Sequence, residues 1–442
     1  MSKPLHLILL IVLLATVPFL ILRSELPVVA VDRSPVVDRF FDLLRQGKFE
    51  AATQIFAFPM KQALSAEQLQ AVWENLIREE GPLQQVNVVR REPMAGNEAV
   101  LVTLEFRKGS RNVRIILDPQ QQIAGLFFTE SLAYQPPSYV RMDSLTEQAI
   151  QVGSGKLALP ATLTLPKGDG PFPVIVLVHG SGPQDRDETI GPNKPFRDLA
   201  LGLASQGIAV LRYDKRTRIH PQSFTSQFTI QDETVEDAIA AVTLLRRTPR
   251  INGKKIFVLG HSLGGMMIPR IGSLDPKIAG LVILAGPTRP FEDLFLDQVL
   301  YLAKLDGTVS PEEAQLQDEI KQQVRLIKSP RLSQSLPTAL ILGAPASYWL
   351  DLRRYKPAEV AARLQQPLLI LQGERDYQVT LTDFQGWQKA LADKPRVTLK
   401  RYPGLNHLFI QGEGLSRPEE YQIPGHVDQS VIEDIATWIK AK

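Results

Sequence analysis

One serine of this chain stands in a pattern that suits nucleophilic chemistry. Ser262 lies in the pentapeptide Gly260-His261-Ser262-Leu263-Gly264, which follows an apolar strand-like run and precedes a helical segment. A tight turn from strand to helix strains the serine backbone and lifts its hydroxyl to the carboxyl end of the sheet, provided that the flanking residues lack bulk. Gly260 and Gly264 meet that condition. The pattern therefore predicts that Ser262 attacks a carbonyl carbon.

The groups that would activate this serine follow further along the chain. A serine hydroxyl needs an imidazole to remove its proton, and the imidazole needs a carboxylate to orient it and stabilise its charge. Asp376 comes just after one apolar run, and His407 comes shortly after another. This order of serine, acid and histidine, each after a strand, is the order that such a site requires. We predict a triad of Ser262, Asp376 and His407, with Glu374 as the alternative acid.

Two backbone amides are predicted to stabilise the negative charge that develops on the carbonyl oxygen during attack. One is the N–H of Leu263, directly after the serine. The other belongs to the loop that follows the run Val174–Val178, where small residues allow the backbone to face a substrate. Within that loop the N–H of Ser181 is the first choice and that of Gly182 is the second.

The elements that must position these residues are indicated by short, unbroken apolar runs that alternate with helical patterns. Buried parallel strands have this character because helices cover both faces of their sheet. An antiparallel pair at 148–151 and 157–165 precedes them, and Pro160 predicts a sheet edge or a bulge in its second strand. The sequence thus predicts an α/β fold with a mostly parallel sheet. The runs are Val174–Val178, Ile208–Leu211, Ile256–Leu259, Leu281–Leu284 and Leu368–Leu371.

The chain of 442 residues is long enough for two or three domains. After a linker that ends near residue 33, helical patterns come first and strand-like runs follow, which predicts a small α+β domain over 34–131. Pro136-Pro137 marks a boundary, and residues 132–442 are predicted to form the α/β domain. An insertion at about 288–364 has the helical pattern of a lid, with Ser310 as an N-cap. An apolar lid over the serine would favour acyl or aryl groups, unless its residues merely pack onto the sheet.

Several motifs together resemble the α/β-hydrolase superfamily, and residues 180–196 and 211–216 are similar to bacterial serine esterases that carry an extra N-terminal domain. The resemblance implies hydrolysis of small carboxylic esters through an acyl-serine intermediate, with neither a metal ion nor an organic cofactor. One departure is Thr217, which stands where relatives tend to have glycine. Residues 34–131 resemble cystatin-like or nuclear-transport-factor-like domains. The motifs are Val178-His-Gly-Ser-Gly182, Gly260-His-Ser-Leu-Gly-Gly265, Gly373-Glu-Arg-Asp376 and Asn406-His407.

Composition excludes several other classes of protein. The chain has no cysteine, which removes thiolate chemistry, disulfides, Cys-ligated zinc and iron–sulfur clusters. Its 50 Lys+Arg and 47 Asp+Glu residues leave a formal net charge of only +3, so no broad basic face for nucleic acid is indicated. Metal-ligating, Walker and dinucleotide motifs are absent from the sequence. The side chains of His179 and His261 are predicted to pack or to orient loops. Residues 185–187 are predicted to form an ion network that stabilises their loop, with substrate binding as the alternative.

The N-terminus carries an apolar run at residues 5–22 between Lys3 and Arg23. As a helix this run would cover roughly 27 Å, close to the hydrocarbon thickness of a bilayer. Because no cleavage site with small residues follows, an uncleaved membrane anchor is favoured over a removed signal peptide. Both interpretations predict export, with the catalytic domain outside the cytoplasm.

Two alternatives to a small-ester esterase remain open. In the first, the same site cleaves peptides, lysophospholipids or thioesters, and the lid decides the substrate. In the second, the fold is an inactive scaffold that binds or senses a ligand, with the N-terminal domain as the working part. An intact triad argues against the scaffold.

Overall fold

The computed structural model describes residues 34–94, 97–107, 110–129, 134–224, 227–305, 307–333 and 340–442. These residues form two compact units that divide at Pro136. The predicted anchor at residues 5–22 lies outside the described residues. Among the helices of the described ranges, none is both long enough and apolar enough to cross a membrane.

The smaller unit combines helices with an antiparallel meander, in the order that its patterns predict. Its first helix buries Val37, Phe40 and Leu44, because these residues recur at helical spacing. Ser65 and Gln68 close a capping box at the start of the fourth helix. The elements are α1 (Pro35–Arg45), α2 (Phe49–Thr53), α3 (Phe58–Ala63), α4 (Ala66–Glu80), β1 (Leu83–Met94), β2 (Asn97–Phe106), β3 (Ser110–Leu117) and β4 (Ile123–Thr129), with strand order β1-β2-β3-β4.

The larger unit is built on an eight-stranded, mostly parallel sheet. The strands are β5 (Leu145–Val152), β6 (Leu159–Pro166), β7 (Phe172–Val178), β8 (Ala209–Tyr213), β9 (Ile251–His261), β10 (Gly280–Leu284), β11 (Leu368–Gly373) and β12 (Val397–Tyr402). Their order is β12-β11-β10-β9-β7-β8-β6-β5, and β6 alone runs opposite to the other seven strands. Every residue of β8, β10 and β11 is buried. The unbroken apolar runs therefore mark the interior of the sheet, as predicted.

Pro160 marks neither a sheet edge nor a bulge, so that prediction was wrong: the ladders of β6 to β5 and to β8 show no shift of register. The strand β6 pairs with both β5 and β8, and β5 is the edge strand. Pro160 is the second residue of β6, and the ladder to β8 begins one residue later, where Ala161 lies opposite Tyr213. The Pro160 carbonyl still accepts a hydrogen bond of 2.8 Å from the N–H of Asp214. An interior strand tolerates this proline because it stands outside the ladder to β8.

The segment between β10 and β11 is helical, as predicted for the lid. Ser310 caps its longest helix through a capping box with Glu313. In the described part of the larger unit, the helices are α5 (Pro195–Ser205), α6 (Arg216–Ile219), α7 (Glu236–Leu245), α8 (Leu263–Leu274), α9 (Phe291–Ala303), α10 (Pro311–Lys328), α11 (Ala346–Arg354), α12 (Pro357–Arg363), α13 (Leu381–Leu391) and α14 (Gln429–Lys440). The lid segment contributes α9 to α12.

Candidate active site

Ser262 occupies the sharp turn between β9 and α8. Its backbone has φ 53° and ψ −119°, in a region that residues other than glycine rarely adopt. Its N–H donates to the carbonyl of Leu284, and its carbonyl accepts from the N–H of Met266, both at 2.9 Å. These bonds tie the strained residue to strand β10 and to the first turn of α8. The strain predicted from the glycine spacing is therefore present at Ser262.

The two glycines that flank the turn leave no room for a side chain. A Cβ on Gly264 would lie 2.3 Å from the carbonyl oxygen of Val178 and 2.5 Å from that of His179. A Cβ on Gly260 would lie 2.3 Å from the carbonyl oxygen of Gly264. Strand, turn and helix thus approach one another as closely as backbone atoms allow.

Gly264→Ala is expected to destabilise the protein by about 3 kcal/mol or more, because the added methyl group must push backbone atoms of β7 apart from α8. Gly253→Ala is the matched control: the nearest atom to its Cβ would lie at 3.4 Å, and the expected change is below about 1 kcal/mol. Urea unfolding measures both. An equal stability for the two variants would contradict the close approach.

Asp376 and His407 form the buried pair that the sequence predicts. The Nδ1 atom of His407 lies 2.7 Å from Oδ2 of Asp376. The other carboxylate oxygen accepts the N–H groups of Gln378 at 2.8 Å and Val379 at 2.9 Å. The buried amide of Gln372 also donates to Oδ2 at 3.2 Å. The carboxylate is thus held by four donors, and Gln372 had no local sequence pattern that marked it.

Ser262 and His407 line the same cavity, which has a volume of about 390 Å³. The described residues show no hydrogen bond between the Ser262 hydroxyl and the His407 ring; such bonds often tighten only when substrate is bound. Glu374, the alternative acid, instead pairs with Arg401 at 3.5 Å. The structure therefore brings Ser262, Asp376 and His407 together and places Glu374 in a different pair.

The loop predicted to donate the second amide runs beside Ser262. A Cβ on Gly180 would lie 3.2 Å from the Cβ of Ser262, and Ser181 lines the cavity. Among the described residues, the N–H groups of Ser181 and Leu263 have no hydrogen-bond acceptor. Gly182, the second choice, adopts φ 87°, which glycine does without strain. The Ser181 and Leu263 amides are thus available to a substrate oxygen.

A buried carboxylate–imidazole pair joins three loops around the cavity. Glu188 accepts the N–H of Gly180 at 2.7 Å, and its second oxygen lies 2.9 Å from Nδ1 of His261. The Nε2 atom of His261 lies 2.9 Å from the carbonyl oxygen of His407. Because both ring nitrogens face acceptors, a protonated imidazolium satisfies both. His261 thus orients loops, as predicted, whereas Glu188 was missed because its partners are remote in sequence.

The electrostatics of this pair follow from its burial. Burial works to lower the pKa of His261, but the charge and hydrogen bond of Glu188 outweigh it and raise that pKa above its ordinary value. Burial works to raise the pKa of Glu188, but His261 and the Gly180 N–H outweigh it and lower that pKa. Each group thus favours the charged form of the other.

A pH-dependent stability follows from these directions. Because the pKa of His261 is raised, this residue stabilises the folded state fully at pH values below its ordinary pKa of 6.5. That contribution is lost as the pH rises through the raised pKa. The lowered pKa of Glu188 contributes above its ordinary 4.5 and is lost as the pH falls through the lowered value. The difference in stability between wild type and the double variant His261→Gln/Glu188→Gln should therefore be largest between the two ordinary pKa values of 4.5 and 6.5. It should become smaller at alkaline pH. Urea unfolding from pH 4 to 10 measures it; a pH-independent difference would contradict the charged pair.

The loop at 185–187 carries the ion network predicted for it. Arg186 binds both carboxylate oxygens of Asp214, at 3.1 and 2.6 Å. Asp187 pairs with Arg212. Asp185 accepts hydrogen bonds from the backbone and hydroxyl of Thr189 and also lines the cavity. These contacts hold the loop that runs from the predicted oxyanion site to Glu188.

The walls of the cavity combine several polar side chains with a larger share of apolar surface. From the lid segment, Gln298 and Leu302 of α9 line it. The aromatic lid residues pack together instead: the rings of Phe291 and Phe295 lie 5.2 Å apart, and Phe295 lies 6.1 Å from Trp349. The polar lining side chains include Gln184, Arg218, Gln298, Tyr377, Gln378 and Tyr421.

In the described residues, no cluster of three or more His, Asp or Glu side chains suits a metal ion.

Family comparison agrees with this geometry. Residues 175–421 match the model of the alpha/beta hydrolase family, and the chain belongs to that family. The resemblance inferred from the motifs is thereby confirmed. Residues 37–126 match a second model, described only as a protein of unknown function (DUF3887). The resemblance of residues 34–131 to cystatin-like or nuclear-transport-factor-like domains stays a prediction.

Individual relatives extend the comparison. The chain is 39% identical to Esterase EstD from Thermotoga maritima over 402 residues, which cover 90% of this chain and 93% of the relative. It is 25% identical to a monoacylglycerol lipase from Mycolicibacterium smegmatis over 278 residues, 61% of this chain and 88% of the relative. It also resembles the solved structure of Est1E from Butyrivibrio proteoclasticus, with a TM-score of 0.43, 15% identity and coverage of 66% and 99%.

Proposed function

We propose that this protein is a serine esterase that cleaves small carboxylic esters through an acyl-serine intermediate. The observation that carries the proposal is the buried Asp376–His407 pair, whose histidine lines the same cavity as the strained Ser262. The similarity to Esterase EstD along most of both chains supports ester cleavage. No metal ion or organic cofactor takes part in the proposed chemistry.

The first half of the proposed reaction forms the acyl-enzyme. The hydroxyl oxygen of Ser262 attacks the ester carbonyl carbon while Nε2 of His407 takes its proton. The carbonyl oxygen becomes an oxyanion that accepts hydrogen bonds from the Ser181 and Leu263 amides. When the tetrahedral intermediate collapses, the bond to the alcohol oxygen breaks, and the His407 imidazolium returns its proton to that oxygen. Asp376 stabilises the imidazolium throughout.

The second half releases the acid. A water molecule attacks the carbonyl carbon of the acyl group bound to Ser262 and gives a proton to His407. The same two amides donate hydrogen bonds to the new oxyanion. Collapse of this intermediate breaks the bond to the serine oxygen, which takes the proton back from His407. The products are a carboxylic acid and the regenerated serine.

The size of the cavity favours small esters over the alternative substrates. Its volume of about 390 Å³ suits a short acyl group better than a long lipid chain. The aromatic residues of the lid that would contact such a chain pack against one another. A peptidase, a lysophospholipase and a thioesterase use the same three groups, so substrates distinguish them.

A substrate panel combined with active-site labelling tests the proposal. The full-length protein should hydrolyse p-nitrophenyl acetate and butyrate faster than the laurate, a monoacylglycerol, an acyl-thioester or a peptide anilide. A fluorophosphonate probe should label Ser262, as read by mass spectrometry. Preference for the lipid, thioester or anilide would replace the esterase with the corresponding alternative. Absence of both labelling and turnover would support the binding or sensory scaffold.

We also propose that the protein is held at a membrane by residues 5–22, with the catalytic unit outside the cytoplasm. The length and apolar character of this run support the proposal. Full-length protein should remain in the membrane fraction after a carbonate wash, whereas recovery in the soluble fraction would contradict an anchor.

A further inference from the structure

We propose that Lys215 is a positioning residue that strengthens the oxyanion-binding amide of Ser181. The ammonium group of Lys215 donates a hydrogen bond of 2.8 Å to the carbonyl oxygen of Gly180. That carbonyl belongs to the peptide bond whose other end is the N–H of Ser181. The proposal rests on the esterase function given above, because it assigns Lys215 a role in the proposed oxyanion site.

The sheet brings Lys215 to this position. Strands β7 and β8 are parallel neighbours, so their carboxyl ends lie side by side. Gly180 follows the end of β7 by two residues, and Lys215 follows the end of β8 by two residues. The register of the two strands therefore places Lys215 beside the loop that carries Gly180 and Ser181.

Lys215 is a buried cation with one buried counter-ion. The Lys215 side chain is 2% exposed, and its ammonium group pairs at 2.5 Å with Glu233, whose side chain is 5% exposed. Glu233 lies in a single π-helical turn, Gln231–Val235, just before α7; such turns are frequent at functional sites. Taking two charges out of water is costly, and an apolar pair of similar volume is often as stable. A role in stability alone therefore does not explain the pair.

The peptide units around Gly180 are held by opposite charges. The Glu188 carboxylate accepts the Gly180 N–H, and the Lys215 ammonium group donates to the Gly180 carbonyl. A cation at a carbonyl oxygen draws electron density from the peptide nitrogen, which makes the N–H of Ser181 a stronger donor. In a site shielded from water this polarisation is screened only weakly. The contacts also fix the plane of the peptide and hence the direction of the N–H.

The effect should appear in the transition state rather than in substrate binding. A neutral ester carbonyl gains little from a stronger donor, whereas the oxyanion of the tetrahedral intermediate gains much more. Loss of Lys215 should consequently lower kcat and leave KM nearly unchanged. A purely structural role would instead reduce the number of folded active sites without changing the turnover of each.

The test compares three variants of the full-length protein with one control. Lys215→Met removes the cation, Lys215→Met/Glu233→Gln removes both charges so that no buried carboxylate is left unpaired, and Lys215→Gln retains a neutral donor. Arg216→Met/Asp237→Asn is the control, because it removes a neighbouring charge pair that does not contact the loop and leaves no buried carboxylate unpaired. Rates are expressed per active site, counted by stoichiometric fluorophosphonate labelling, so that misfolded molecules do not contribute.

The expected result is a kcat about tenfold lower in Lys215→Met and in Lys215→Met/Glu233→Gln, with KM within about twofold of wild type. Lys215→Gln should lie between these variants and wild type, and the control should match wild type. An aryl trifluoromethyl ketone, to which the Ser262 hydroxyl adds to form an oxyanion, should bind about tenfold more weakly to Lys215→Met and to Lys215→Met/Glu233→Gln.

A Lys215→Met/Glu233→Gln variant with wild-type kcat per active site and wild-type affinity for the ketone would overturn the proposal. A rise in KM that accounts for the whole loss of kcat/KM would overturn it as well. Failure of the esterase function itself is recognised separately, because wild type would then show neither ester turnover nor fluorophosphonate labelling of Ser262.

Discussion

Ser262→Ala is expected to lower kcat for p-nitrophenyl butyrate by at least about 10⁴-fold, since removal of a triad nucleophile leaves only the oxyanion site and substrate binding to accelerate hydrolysis. The alanine variant keeps the contacts that fix the turn, because these are hydrogen bonds from the backbone of residue 262 to Leu284 and Met266. The variant should therefore unfold at nearly the same urea concentration as wild type.

The matched control for this variant is Ser273→Ala, in the same helix α8. Ser273 is exposed, and its hydroxyl donates to the carbonyl of Arg270. Its loss should leave kcat unchanged and remove no label from the fluorophosphonate reaction. If Ser262→Ala kept more than about one hundredth of wild-type kcat in a preparation free of other esterases, Ser262 would not be the nucleophile.

Asp376→Asn should lower kcat by about 10³- to 10⁴-fold with a small change in KM. Asp376 accepts the Nδ1–H of His407, which leaves Nε2 free to take the serine proton. An asparagine amide that faces Nδ1 with its NH₂ group would favour the opposite tautomer, in which Nε2 carries the proton and cannot act as a base. Steady-state kinetics with p-nitrophenyl butyrate measures the loss.

Glu374→Gln separates the two acids of this loop. Glu374 pairs with Arg401, so its replacement should leave kcat within about twofold of wild type and cost less than about 1 kcal/mol of stability. A large loss of kcat in Glu374→Gln together with an active Asp376→Asn would exchange the roles predicted for the two carboxylates.

The parts of this molecule that sequence patterns predict are those with a local cause. Buried strands give unbroken apolar runs, and the turn at Ser262 needs glycine at fixed spacing, so the sheet and the place of Ser262 can be inferred from a few neighbouring residues. The positions of Asp376 and His407 follow as well, because the carboxyl ends of parallel strands meet at one edge of the sheet.

The groups that sequence patterns do not reveal are polar pairs between distant segments. Glu188 and His261 are 73 residues apart, and Lys215 and Glu233 are 18 apart. A buried charge looks like any surface charge until the fold supplies its partner. The prediction from Pro160 failed for a related reason. The missing N–H of Pro160 matters only where β6 pairs with β8, and the register of that pairing is a property of the assembled sheet.

The cavity draws its chemistry and its shape from different parts of the fold. The predicted triad follows strand ends, whereas Gln298 and Leu302 come from a helix inserted between β10 and β11. Selection for a new ester can consequently act on this helix without changing the predicted triad. Saturation libraries at these two positions are the natural starting point for engineering the enzyme toward bulkier or more hydrophobic esters.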